Sequence, residues 1–159
     1  MSILADLAKM PRELEEAVQP LPSDALAWRP ESWQDAPGER FSAIGHICHV
    51  RDIELDGYHV RFTRLLREDM PDLVSIDGYA LERDRSYDQQ EPGSALRAFR
   101  AARERTIKLL VENWEQRARR GTFAEYGEVT FESLAHILRS HDLQHLAGLQ
   151  WLHAKRRAL

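Results

Sequence analysis

Two histidines near the end of the chain stand where helix core residues belong. Taking every third and fourth residue there gives Phe131, Leu134, Leu138, His141, His145, Gly148 and Leu152, a stripe with the helical period. His141 and His145 are one turn apart, separated by about 6 Å along the axis, so both imidazoles can converge on one ion. A buried imidazole needs a partner for each ring nitrogen, and two stacked in an apolar stripe have few available. Binding a metal with one nitrogen each, and donating from the other to a nearby acceptor, resolves that shortage. A single histidine on an apolar face is usually an ordinary core residue, and the pair is what raises the metal reading beside that one.

Two ligands do not complete a site, because zinc, nickel, iron and manganese usually take at least three from the protein. His46 and His49, in Gly45-His46-Ile47-Cys48-His49-Val50-Arg51-Asp52, are also one turn apart, and spacing does not choose between them. His136 and His153 lie off the stripe, and His59 is remote from His49; all three read as surface or boundary residues. Cys48 is a possible soft ligand, but its stripe with Ile44 and Leu55 favours core packing. Asp52, one turn after His49, is the candidate catalytic residue, placed to accept a proton or orient a ligand; otherwise it is a carboxylate balancing Arg51. Arg103 interrupts the spacing Leu96, Phe99, Arg103, Thr106, Leu110. It is the candidate substrate-binding residue, able to grip a carboxylate through two N–H groups; otherwise its stem simply runs to the surface. A zinc protease of the His-Glu-x-x-His type is excluded, since Asp142 stands where that chemistry needs its glutamate.

The elements that must hold these residues are helical almost throughout. Ile3, Leu7, Met10, Leu14 and Val18 form a first stripe, which Pro11 either kinks or restarts. Gln19–Arg40, with Pro20, Pro22, Pro30 and Pro37, is a long connection in which Ser23-Asp24 opens one short turn. Ser42 is the expected N-cap of a second helix running to about Glu68, with Ile44, Cys48, Leu55, Tyr58, Phe62 and Leu65 as its stripe. A second connection covers Asp69–Gly93. Ser94 is the expected cap of a third helix ending near Arg120, Gly121–Glu128 is a turn region, and the fourth helix spans about Thr130–Lys155. No segment alternates long enough to demand a sheet. The expected fold is therefore all-α: a four-helix bundle with long connections, one domain over residues 1–159.

Composition narrows the function classes. A net charge of −4 gives no reason to expect nucleic acid, and the short basic clusters Arg117–Arg120 and Lys155–Arg157 suit helix C-terminal ends. One cysteine allows no internal disulfide and points to a reducing compartment. No stretch reads as a leader or reaches membrane-spanning length, so the expectation is a cytoplasmic protein without a membrane partner.

The combination of order, spacing and helical placement resembles the DinB-like metalloproteins. The resemblance is carried by Leu21-Pro22-Ser23-Asp24-Ala25-Leu26-Ala27-Trp28-Arg29-Pro30, by Phe41-Ser42 where the family usually has Trp-Ser, and by Gly45 through Glu54. It continues through Tyr126-Gly127-Glu128-Val129-Thr130 and closes on His141-Asp142-Leu143-Gln144-His145-Leu146. It implies a four-helix bundle with one divalent ion, zinc, nickel, iron or manganese, on three histidines. Counted from the aromatic-Ser pair, the family register takes His49 rather than His46 as the third ligand beside His141 and His145. It implies an enzyme that activates either a low-molecular-weight thiol for S-transfer to an electrophile or water for hydrolysis. A bundle that binds metal for stability or stress-linked sequestration, without turnover, is the alternative. Family members often pair as homodimers, and that state is expected here.

Overall fold

The computed structural model describes residues 3–158, and its order is α1 (Ile3–Val18), α2 (Ala43–Asp52), α3 (His59–Arg67), α4 (Gly78–Asp84), α5 (Pro92–Glu112) and α6 (Phe131–Arg157). Three short strands, β1 (Asp72–Leu73), β2 (Arg120–Phe123) and β3 (Gly127–Thr130), accompany them. Helices α2 and α3 are one continuous rod joined by a π-helical turn over Ile53–Tyr58. The bundle thus consists of α1, the α2–α3 rod, α5 and α6, with the short α4 set outside it.

The caps explain most boundaries. Ser42 accepts a bond from the Gly45 amide and opens α2, and Thr130 and Ser133 cap each other's backbone at the start of α6, satisfying amides that the first turn leaves free. The start of α5 differs from expectation. Glu91, not Ser94, accepts from the Gly93 and Ser94 amides, with Pro92 at the first helical position, where its missing N–H costs nothing. Helix α5 stops at Glu112, well before Arg120, because residues 114–116 tighten into a 3-10 turn and the chain then enters β2.

The fold is mainly helical but not all-α. β1 pairs in parallel with β2, and β2 pairs antiparallel with β3. The expected turn region Gly121–Glu128 is therefore a hairpin, and its three buried apolar residues with β1, Leu73, Phe123 and Val129, close one end of the core. Strands this short alternate over only four residues, too few to separate from a turn by pattern. The connection Asp69–Gly93 likewise contains α4, capped by Asp77 on the Tyr79 and Ala80 amides. Among the described residues no helix is long and apolar enough to cross a membrane.

Pro11 neither breaks nor restarts α1, which runs through it. Proline lacks the N–H that would bond four residues back, and that leaves the Leu7 carbonyl without its helical donor. Arg103 of α5 supplies one instead: its Nη1 donates to the Leu7 oxygen at 2.9 Å. The same guanidinium donates from Nε and Nη2 to the two Glu54 oxygens, both at 2.8 Å, and from Nη1 and Nη2 to Asp142 at 2.8 and 2.9 Å. That accounts for all five N–H groups an arginine has. One side chain therefore links α1, the π turn, α5 and α6.

This cluster lies where one apolar core gives way to another. Leu7, Phe62, Leu110, Phe131 and Leu138 belong to one buried cluster, and Met10, Ile47, Phe99, Leu149 and Leu152 to a second. Along every bundle helix the change falls near the middle, and the buried polar residues Glu54, Arg103, Thr106, Asp142 and His145 occupy the stretch between. Two carboxylates around one cation leave a buried negative charge over. Burial accordingly pushes the Asp142 carboxyl up, to about 6, against the pull of Arg103 and with Glu54 adding to the rise.

Removing one member of such a cluster strands the rest in a dry interior. Arg103→Ala is expected to cost about 3–5 kcal/mol in urea unfolding, and Arg103→Lys to recover little, because an ammonium cannot fork to both carboxylates. A loss below about 1 kcal/mol would mean that Glu54 and Asp142 reach water or take up protons.

Candidate metal centre

Each part of the histidine cluster is set by local structure. The cap at Thr130 fixes where α6 begins, and from there the helical repeat delivers His141 and His145 on successive turns of the inward face. The Ser42 cap does the same for His49 on α2. Phe41, fully buried just ahead of that cap, stacks on His49 with centroids 4.8 Å apart. The Gly78 backbone approaches so closely that a β-carbon there would lie 2.4 Å from His49 Cε1.

The three Nε2 atoms converge. His141 Nε2 lies 3.2 Å from that of His49 and 3.1 Å from that of His145. A fourth group joins from the long first connection: Glu39 Oε2 lies 3.3 Å from His145 Nε2 and 3.5 Å from His49 Nε2. Gly38 makes that approach possible. Its φ is +89°, and a β-carbon there would sit 2.2 Å from Gln144 Nε2 on α6, so a side chain is barred by both backbone conformation and space. One ligand atom from each of Glu39, His49, His141 and His145 falls within 4.8 Å of the others.

The electrostatics favour bare ring nitrogens. Burial first, then the neighbouring histidines, pushes His141 well below the usual histidine range. His145 falls likewise through burial and His46, and His49 to about 4 through burial and His145, although Glu39 and Asp52 pull it back. At neutral pH the rings are uncharged, and each has one nitrogen with a free lone pair. Glu39 moves the other way: burial raises its carboxyl, His49 lowers it and Asp77 raises it again.

These residues fit a divalent ion. Neutral imidazoles have one proton apiece, so three clustered nitrogens cannot all be satisfied by each other, and an ion at their centre uses the lone pairs that otherwise face one another. Ligands at about 2.1 Å from a metal are separated by about 3.0 Å at right angles and 3.4 Å at tetrahedral angles, and the observed 3.1 and 3.2 Å fall in that interval. Three imidazoles suit zinc, nickel, iron or manganese, and the Glu39 carboxylate stands beside them. His49 Nδ1 is the one buried side-chain nitrogen or oxygen without a hydrogen-bond partner among the described residues.

The other sequence candidates are placed elsewhere. Asp52 is buried and held by Arg51 Nε at 2.6 Å, the Tyr87 hydroxyl at 2.8 Å and Arg85 Nη1 at 2.8 Å. Burial alone would raise its carboxyl, but these bonds outweigh it and hold the group low, so it is a poor proton acceptor at neutral pH. Arg103 has every donor engaged inside the bundle, with none left over for a substrate carboxylate. Cys48 bonds Gln90 at 3.5 Å, and burial pushes its thiol up to about 12, outside the cluster. His46 bonds His145 rather than joining the Nε2 group. Glu39 had no sequence signal, since nothing in Pro37-Gly38-Glu39-Arg40 reports a partner on another element.

A model of the DinB superfamily matches residues 6–149 of the chain. No curated protein matches it in sequence. Among solved structures it is similar to YfiT from Bacillus subtilis, described as a probable metal-dependent hydrolase with an unusual four-helix bundle topology. The TM-score is 0.83 at 18% identity, over 97% of this chain and 85% of that one, a likeness of fold.

The depressed histidines make stability depend on pH in a defined direction. His46 and His49 titrate near 3 and 4 when folded and near 6.5 when unfolded, so unfolding takes up protons. Their contribution is complete above pH 6.5 and is lost as the pH falls toward 4. The unfolding free energy of chelator-treated protein in urea is expected to drop steadily from pH 7 to pH 5, by up to about 1.4 kcal/mol per pH unit for each histidine that must charge. A flat profile would mean that the rings titrate in the fold as they do in the unfolded chain.

Proposed function

The chain belongs to the DinB superfamily, and from that premise we propose that it holds one divalent ion on His49, His141 and His145 and hydrolyses an ester or amide, with Glu39 as proton acceptor. The observation that carries this reading is the Glu39 carboxylate at 3.3–3.5 Å from two of the three converging nitrogens. An ion bound there supplies a Lewis-acid centre that acidifies water or polarises a carbonyl oxygen.

The protein's own groups do the rest. Three neutral imidazoles bring no charge, so the ion's full +2 is available at its open side. Glu39, on a connection rather than a helix and with 30% of its side chain exposed, sits between the cluster and solvent, where it can take a proton from water and return it to a leaving group. Burial raises its carboxyl, which brings it closer to the neutral pH at which a general base works best. Phe41, against the rings of His49 and His145, keeps one side of the site dry, and a dry site strengthens each electrostatic contact.

Transfer of a low-molecular-weight thiol needs the same open position, and Glu39 could take the proton of a thiol as well as that of water. Cys48, with its raised thiol, is no nucleophile. The YfiT description supports hydrolysis by analogy of fold. A bundle that binds metal without turnover remains the reading to be separated from this one.

Elemental analysis of purified protein is expected to give about one first-row divalent ion per chain, lost in His141→Ala. Glu39→Gln should keep the ion and lower kcat on a panel of aryl esters and anilides by about 10²–10⁴. Equal activity in Glu39→Gln would remove the proton-acceptor role. Metal-loaded wild type without turnover of esters or amides would favour a binding protein, and turnover only with a thiol and an electrophile would favour the transferase.

A further inference from the structure

His46 stands one turn before His49 and is 1% exposed. Its Nδ1 lies 2.8 Å from Nδ1 of His145, with the rings 5.1 Å apart and inclined at 64°. At that distance the two nitrogens share one proton, one donating and the other accepting. The second nitrogen of His145 decides which. Its Nε2 faces His141 Nε2 at 3.1 Å and Glu39 at 3.3 Å, and as a ligand it must be bare. The single proton of a neutral imidazole then sits on Nδ1, so His145 donates and His46 accepts, with its own proton on Nε2.

We propose that His46 is a positioning residue of the metal centre: its Nδ1 accepts from His145 Nδ1–H, fixing the ring and tautomer of His145 so that Nε2 turns to the ion. This rests on the metal centre proposed above.

The surroundings of His46 are built for one ring placement. A β-carbon on residue 148 would lie 2.5 Å from His46 Cε1 and 2.6 Å from its Nε2. The glycine in the α6 stripe is therefore a notch for this imidazole, less than one turn beyond His145. Phe41 meets the ring edge-on at 5.7 Å and 87°. A neutral acceptor orients His145 without adding negative charge, whereas a carboxylate in the same place would offset part of the ion's charge. His49 has no such partner on its Nδ1, so this device serves His145 and not all of the ligands.

The test uses zinc alone, titrated against a competing chelator, with wild type, His46→Leu and His46→Asn. Asparagine can place its Oδ1 where His46 has Nδ1, so it retains the acceptor and leucine does not. His46→Leu is expected to bind zinc 10–100-fold more weakly, and His46→Asn to recover most of that. Metal-free urea midpoints of the variants separate a folding defect from a loss at the site. Ring 15N spectra of zinc-loaded wild type, which need no variant to fold, are expected to show His145 protonated on Nδ1 and His46 on Nε2. Equal zinc affinity in all three proteins, or the reverse proton assignment, overturns the role of His46 while leaving the metal centre standing. Failure of wild type to bind zinc overturns the centre and this role with it.

Discussion

The bundle depends on a single buried guanidinium. Arg103 reaches a carbonyl on α1, a carboxylate on the π turn and another on α6, so the relative heights of four helices are set at one point. Apolar side chains slide past each other at modest cost, because dispersion contacts are numerous and non-directional. Five N–H groups aimed at five oxygens do not, since each unmade bond leaves a buried group without water. Even the proline in α1 belongs to this arrangement. By withholding an N–H, Pro11 frees the Leu7 carbonyl that the guanidinium needs.

The histidine cluster inherits its placement from that fixed point. Asp142 follows His141 directly on α6, and Glu54 lies five residues beyond His49 on the rod. Holding those two carboxylates on one cation therefore holds the helix turns that carry the histidines. The π turn between α2 and α3 takes part, because an extra residue per turn changes which side chains face inward. Ile53 and Glu54 are buried, while Leu55, which a regular helix would bury, is only half-buried. Without that turn, Glu54 would not share a face with Arg103 and Thr106, whose hydroxyl also bonds it at 2.5 Å.

What the sequence disclosed follows from this division of labour. His141 and His145 were legible because two polar rings in an apolar stripe violate the local pattern, and such violations are where function tends to lie. The Ser42 and Thr130 starts were legible because caps are local. The same pattern flagged Arg103 and could not say what it faced: a guanidinium in a core stripe is equally consistent with a substrate grip and an internal brace, and only the positions of Glu54 and Asp142, 49 and 39 residues away, separate the two. Glu39 stayed hidden for the related reason that its partners lie on distant segments, and the strands and α4 because they are too short to show a period. His46 and His49 are equivalent by spacing, and the difference between them lies in which nitrogen of His145 or His141 each one meets.

These opposite fates of like residues expose how the site balances stability against use. The Arg103 cluster is internally satisfied and closed, with no donor left over, as suits a brace. The histidine cluster is the reverse. Its nitrogens crowd one another, His49 Nδ1 goes unpaired, and burial keeps the rings from relieving the strain by charging. A fold tolerates such a deficit next to a strong anchor, where the histidines cannot move apart. An ion that accepted the converging lone pairs would remove most of it, and that is the physical basis of the site proposed here. The Glu39 loop reaches that cluster from outside the helices and is held by a glycine turn rather than by the brace, an arrangement that suits the proton transfer proposed for it.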